Sequence, residues 1–202
     1  AYTCLGKILQ ELNESNKAFD CFLKAIDIDS NQINNYICIV EFLKDCRPIN
    51  LNKNKLKTFL NFLLIRDDIP HKELFKSFQS LYENELESYL NKLDTESFRE
   101  ESLQNIITDK LLIKAIKKMS FRDLKWEKLF TKIRRDMSIL ISKKPTNINH
   151  LELQFTVSLA HQCFLNEYVY SLTKEDNLSI QRIIYNCNNG DINEQSISIL
   201  AC

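Results

Sequence analysis

Apolar residues recur every three to four positions along most of the chain, and the phase of that recurrence marks out successive helices. Tyr2, Leu5, Leu9 and Leu12 share one face, and the polar run "NESN" at 13–16 interrupts it. Ala18, Phe22 and Ala25 then carry a second helix up to a turn opened by Asp29 and Ser30. A third helix follows through Tyr36, Ile39 and Leu43, and a closing helix is expected over 52–66, with Pro48 in the turn between them. From Ile69 to Leu93 the spacing stays helical, with Pro70 at the start. Further helices are expected from about Asp123 to Ile141 and from about Asn149 to Tyr170. Thr173 with Asp176 reads as the N-cap of the next helix, and Gly190 as its end or the turn beyond.

The sizes of the first-repeat residues carry more information than their polarity. Gly6 and Ala18 are small, so two antiparallel helices can approach, while Leu5, Leu9 and Phe22 fill the space around them. This arrangement over residues 1–31 resembles a tetratricopeptide (TPR) repeat, with Tyr2 at its usual Trp and Ser30 at its usual Pro. Displaced by one unit of about 34 residues, Tyr2 falls on Tyr36, Cys4 on Cys38, Leu5 on Ile39 and Leu9 on Leu43. The match then fails: Gly6 becomes Val40, Ala18 becomes Asn52, and Ala25 becomes Phe59, where a tight contact cannot take the ring. The array therefore closes, since a last unit must cover the apolar face of the stack. The expected organisation is one complete and one degenerate unit with closing helix over 1–66, connecting helices over 67–104, and a helical domain over 105–202.

Composition narrows the class. Hydrophobic residues make up 44%, too many for a disordered chain, and only two glycines and three prolines occur, which favours helices joined by short polar turns. Lys+Arg 27 balance Asp+Glu 27, so no overall field draws the chain to nucleic acid or membrane. The longest apolar run, Phe59 to Ile65, is too short to cross a bilayer, and no signal peptide is visible. Seven cysteines without a CxxC pair suit reduced thiols and a cytoplasmic location better than disulfides or zinc. Locally, charge does segregate: residues 83–101 are acidic, and residues 110–144 carry twelve Lys and Arg against Asp123, Glu127 and Asp136. That basic stripe, with Lys125 and Lys128 at its centre, is an alternative surface for RNA or an acidic partner. A solvated or internally neutralised face is the preferred reading of it, because aromatics are sparse there and the acidic run is adjacent.

The chemically richest string is "HQCFLNEYVYSLT" at 161–173. On a helical wheel apolar groups surround it, so burial on most faces is expected, and its amides and carboxylate need partners. Arg134 or Arg135 would suit Glu167, and Gln162 and Asn166 would bond to backbone or to the turn near Thr173. A thiol enzyme using Cys163 with His161 is disfavoured, because side chains two residues apart on a helix diverge. His71 and His150 are isolated, and no metal site can be assembled from spacing. Catalytic, cofactor-binding and metal residues are therefore expected to be absent.

A second resemblance covers residues 105–202. Trp126-Glu127 before Leu129, the pair Arg134-Arg135, and Gln162-Cys163-Phe164 with Asn166-Glu167-Tyr168 resemble a helical segment of certain bacterial TPR proteins. In those proteins the segment lies between the repeats and an S-adenosylmethionine (SAM)-dependent methyltransferase domain. The resemblance implies such a domain downstream, and SAM bound there, since these residues lack a glycine-rich loop after a strand. The ending "SISILAC", an apolar periodic run without a stop signal, fits a piece of a longer protein. Together these readings give an all-α chain with TPR-type hairpins followed by an irregular helical domain. It would serve as a non-catalytic protein-interaction scaffold positioning the downstream domain. What the TPR resemblance implies for partner contact is the first helix of each unit, through Tyr2, Lys7, Asn35 and Tyr36.

Overall fold

The computed structural model describes residues 1–46, 50–93, 101, 103–143, 149–165 and 173–189. Its regular structure there is entirely helical: ten α-helices and a short 3-10 turn, with no strand among the described residues. The all-α class expected from the periodicity is the class observed. The chain divides into two compact units, Ala1–Asn84 and Glu85–Cys202, with the division inside a helix over Phe75–Asn91.

In the first unit, α1 (Tyr2–Glu11) and α2 (Ser15–Ile28) form an antiparallel hairpin. The turn works because Asn13 takes a left-handed conformation with φ 61°, which asparagine tolerates better than most side chains. The Asn13 N–H donates to the Gln10 carbonyl at 3.0 Å, and the Glu14 N–H to that of Leu9 at 2.9 Å. Two carbonyls orphaned at the end of α1 are satisfied in this way. Gly6 is the buried residue of α1, and a Cβ built on it would stand 2.9 Å from the Phe22 ring. Ala18 and Phe22 are fully buried opposite.

The helices α3 (Ile33–Asp45) and α4 (Lys53–Leu63) follow. They do not approach each other as α1 and α2 do. Val40 and Phe59 stand where the first hairpin has Gly6 and Ala25, so larger side chains hold the backbones apart. Phe59 fills the space with its ring, 5.9 Å from Phe19 and 5.9 Å from Phe62. Asn52 caps α4 by accepting from the Lys55 N–H at 3.0 Å, and Lys55 pairs with Asp20 of α2 at 2.8 Å. Beyond Pro70, the 3-10 turn His71–Leu74 leads into α5 (Phe75–Asn91). Ser77 anchors that segment by donating to the Leu43 carbonyl at 2.9 Å. Pro48 lies outside the described residues.

The second unit contains α6 (Leu103–Ile107), α7 (Lys110–Lys118), α8 (Leu124–Lys143), α9 (His150–Leu165) and α10 (Lys174–Asn189). Packing pairs α8 with α10 and α7 with α9, and α9 also meets α6 and α8. Each of four helices starts at a polar cap. Asp109 accepts from the Leu111 and Leu112 N–H groups, and Asp123 from those of Lys125 and Trp126. Asn149 and Glu152 cap reciprocally, as do Thr173 and Asp176. Phe121, Trp126 and Phe130 form an aromatic cluster with centroids 5.1–5.5 Å apart, and Trp126 is fully buried.

The start of α10 gives a pH-dependent expectation. Burial alone would raise the Asp176 pKa, but the Thr173 N–H and hydroxyl, with Arg135 and Arg134 nearby, bring it below the usual carboxylate range. A carboxyl depressed on folding adds stability above its unfolded pKa, about 3.9 for aspartate. That contribution is lost as the pH falls through the lower, folded value. Asp176→Ala should therefore cost about 1 kcal/mol at pH 7 in urea melts, the value of a lost cap. The gap to the unsubstituted protein should close progressively below about pH 4.

Candidate functional site

In the first unit α1 and α3 lie side by side, and a groove of about 480 Å³ opens between them. Its walls carry Lys7, Gln10 and Glu11 from α1, and Cys38, Glu41 and Asp45 from α3. Lys7, Glu11, Glu41 and Asp45 are exposed and Gln10 and Cys38 half-buried, so the groove presents three carboxylates and one ammonium. Gly6 faces α2, and Ile39 and Leu43 are turned into the core, which leaves these polar side chains outward, with the buried Phe42 also lining the groove. A second groove of about 750 Å³ lies among α2, α3 and α4, walled chiefly by Leu23, Ile26, Tyr36, Phe59 and Phe62. Neither groove contains a histidine.

Of the four residues expected on a partner face, Lys7 lines the α1–α3 groove and Tyr2 is exposed, with the Lys24 ammonium 5.9 Å from its ring. Asn35 and Tyr36 are both buried and bonded to backbone, and Tyr36 also walls the second groove. The Asn35 amide donates to the Ala25 and Asp29 carbonyls at 2.9 and 3.1 Å, which satisfies the end of α2. The Tyr36 hydroxyl donates to the Ser30 carbonyl at 2.8 Å, and the Arg66 guanidinium covers its ring at 3.8 Å. Arg66 is itself clamped by Asp68 at 2.8 and 2.5 Å; that bond raises the guanidinium pKa and lowers that of the carboxyl. Asparagine's two donors suit a helix end as well as a ligand, so residue type alone does not separate the two roles.

The polar string in the second unit resolves into separate contacts. Gln162 is 1% exposed. Its amide donates to the Ile116 carbonyl at 2.6 Å and to that of Met119, and its oxygen accepts from the Phe121 N–H at 3.2 Å. It thus secures the backbone between α7 and α8. Arg135 reaches Asp176, Nε to Oδ2 at 3.3 Å, and Arg134 lies close enough to stabilise the same carboxylate. Asn166 and Glu167 lie outside the described residues. Asp176, readable in the sequence as a helix cap, is also the buried partner of an arginine, and that second role is the one sequence reasoning missed. On α9 one stripe is exposed, through Val157, His161 and Phe164, the last 80%, while Phe155, Leu159 and Gln162 are buried.

His161 and Cys163 stand on α9, exposed and half-buried respectively. His150 is bonded to Gln154 at 2.8 Å. Among the described residues no cluster of His, Cys, Asp or Glu could hold a metal ion, and no helix is long and apolar enough to cross a membrane. The Cys46 thiol is pushed up to about 11 by burial and by Asp45, which keeps it protonated near neutrality. In the basic stripe, Lys125 meets Glu87 at 3.2 Å and Lys132 meets Asp136 at 3.5 Å. Part of its charge is therefore neutralised within the unit, Lys125 by the adjacent acidic run; Lys128 is exposed. No protein-family model, curated protein or solved structure matches the chain.

Proposed function

We propose that the chain is a non-catalytic protein-interaction and spacing segment whose α1–α3 groove receives a polypeptide. The groove carries the reading: the neighbouring helices α1 and α3 leave exposed Lys7, Glu11, Glu41 and Asp45 around a cleft of about 480 Å³. Three carboxylates against one lysine favour a ligand with basic side chains, and opposite charge acts mainly on the rate and selectivity of encounter. The TPR-like pattern of residues 1–31 supports the same use of the first helix of each unit. The resemblance of residues 105–202 adds that the second unit spaces this surface from a SAM-dependent methyltransferase domain of a larger bacterial protein. Any SAM would be bound by that domain.

A photo-crosslinking residue placed at Gln10 tests the groove reading in cells producing the full chain. A defined polypeptide adduct is expected, and Glu41→Lys with Asp45→Lys should reduce its yield at least about tenfold, equivalent to about 1.4 kcal/mol. Both positions are solvated, so the melting midpoint should be unchanged. An adduct indifferent to the charge reversals would remove the groove from the proposal. Reading the gene past the Cys202 codon for a strand and glycine-rich loop tests the methyltransferase half.

A further inference from the structure

The second groove of the first unit follows from the width of the second hairpin. Gly6 lets α1 and α2 close on each other around the Phe22 ring, whereas Phe59, standing where the first hairpin has Ala25, keeps α4 away from α3. The cleft that results combines Leu23 and Ile26 of α2 with three rings, Tyr36, Phe59 and Phe62. Phe62 stands 6.0 Å from Tyr36 and 5.9 Å from Phe59, centroid to centroid, so the rings form a continuous aromatic wall. At about 750 Å³, mostly apolar and with a few polar groups such as Thr58 at its edge, the cleft has the size and lining of a small-molecule site. Two turns of an α-helix, about 10–12 Å across and about 5.4 Å each, already exceed that volume. The exposed helix faces elsewhere in this chain are therefore too bulky to enter it.

Charge around this cleft is left unbalanced at one residue. Lys55 lines it but pairs with Asp20 at 2.8 Å. The Arg66 guanidinium on the Tyr36 ring is held by Asp68 and is not part of the lining. Asp27 lines the cleft, is exposed, and has no ion pair or side-chain hydrogen bond among the described residues. Lys24, one turn before it, lies over the Tyr2 ring instead. A carboxylate without a counterion beside aromatic faces favours a cation, which the rings themselves attract within about 6 Å of their centroids. We infer that the α2–α4 groove binds a small organic ammonium compound, its charged head against Asp27 and its apolar body along Tyr36, Phe59 and Phe62. An anion would meet the carboxylate and the negative faces of the rings. This site shares no residue with the α1–α3 groove.

Titration of the full chain with benzyltrimethylammonium, followed by amide chemical shifts, tests the site. Saturable binding is expected, with the shifts centred on α2 and α4. Benzylsulfonate, an anion with the same aromatic body, should bind at least about tenfold more weakly, equivalent to about 1.4 kcal/mol. Asp27→Asn should weaken the cation by a similar factor, and Phe62→Leu, which keeps an apolar side chain but removes the ring, by at least about twofold. Asp27 is solvated, so the melting midpoint of Asp27→Asn should be unchanged. Glu41→Lys with Asp45→Lys should leave the affinity as it is, which separates this cleft from the acidic α1–α3 groove. Three results would overturn the inference: no saturable binding to the full chain, as also follows if another part of the chain fills the cleft; equal affinity for the anion; or an affinity indifferent to Asp27→Asn.

Discussion

Gln162→Glu should destabilise the second unit by about 4 kcal/mol, measured as a fall in the urea midpoint at pH 7. The wild-type amide is nearly inaccessible to water and donates to two backbone carbonyls, Ile116 and Met119, while accepting from the Phe121 N–H. A carboxylate can keep only the last of these bonds. It would bring a buried negative charge against two carbonyl oxygens, and a charge buried without a partner costs several kcal/mol. Gln162→Leu should cost about 3 kcal/mol instead, because it strands the same backbone groups without adding charge. The order of the two variants is the informative result. If leucine were the worse or both were neutral, the three bonds would not be what holds the segment between α7 and α8.

Gly6→Leu should cost about 3 kcal/mol or more in the first unit. A single Cβ at this position would already stand 2.9 Å from the Phe22 ring. That ring cannot swing aside cheaply, since Phe22 is fully buried and packs on Phe42 at 5.3 Å. Overpacking of this kind typically costs about 1–3 kcal/mol, and leucine adds three more carbons beyond the Cβ. Gly6→Ala sets two effects of similar size against each other, a gain in helix propensity of up to about 1 kcal/mol and the clash with the ring. It should be the milder change by at least about 2 kcal/mol. Thermal melts of the three proteins separate close helix approach from backbone flexibility as the reason for glycine here: flexibility would give alanine and leucine equal losses.

The close approach of α1 and α2 was legible in the sequence because it depends on residue size at fixed spacing, and Gly6, Ala18 and Phe22 announce it. So was its failure one unit on, where Val40 and Phe59 are too large for a second tight hairpin. Helix starts near Asp123 and Asn149 were readable from the apolar period, and the one at Thr173 because capping needs particular side chains within a few residues. The placement of Asn35 and Tyr36 was not. Both belong to the first helix of a unit, but their partners lie on the turn and the helix before it, through bonds to Ala25, Asp29 and Ser30. Whether such a residue faces solvent or closes a helix end is decided by tertiary approach, which periodicity does not encode. The second unit illustrates the same limit. Gln162 could be recognised as a residue in need of partners, but those partners are backbone groups more than forty residues earlier, and backbone is the same at every position. Arg135 and Asp176 are ordinary surface residue types until α8 and α10 are laid against each other.

The Gln162 contacts also bear on the order in which the second unit assembles. The stretch after α7 finds its hydrogen-bonding partner only when α9, far along the chain, has docked. Until then those carbonyls and the Phe121 N–H are better solvated by water, so nothing local favours their native geometry. Ring closure over a long intervening segment must come first, which places this corner among the non-local, late-forming contacts of the unit. Native-state opening should run in reverse, with α9 and the Met119–Phe121 stretch released as one cooperative piece.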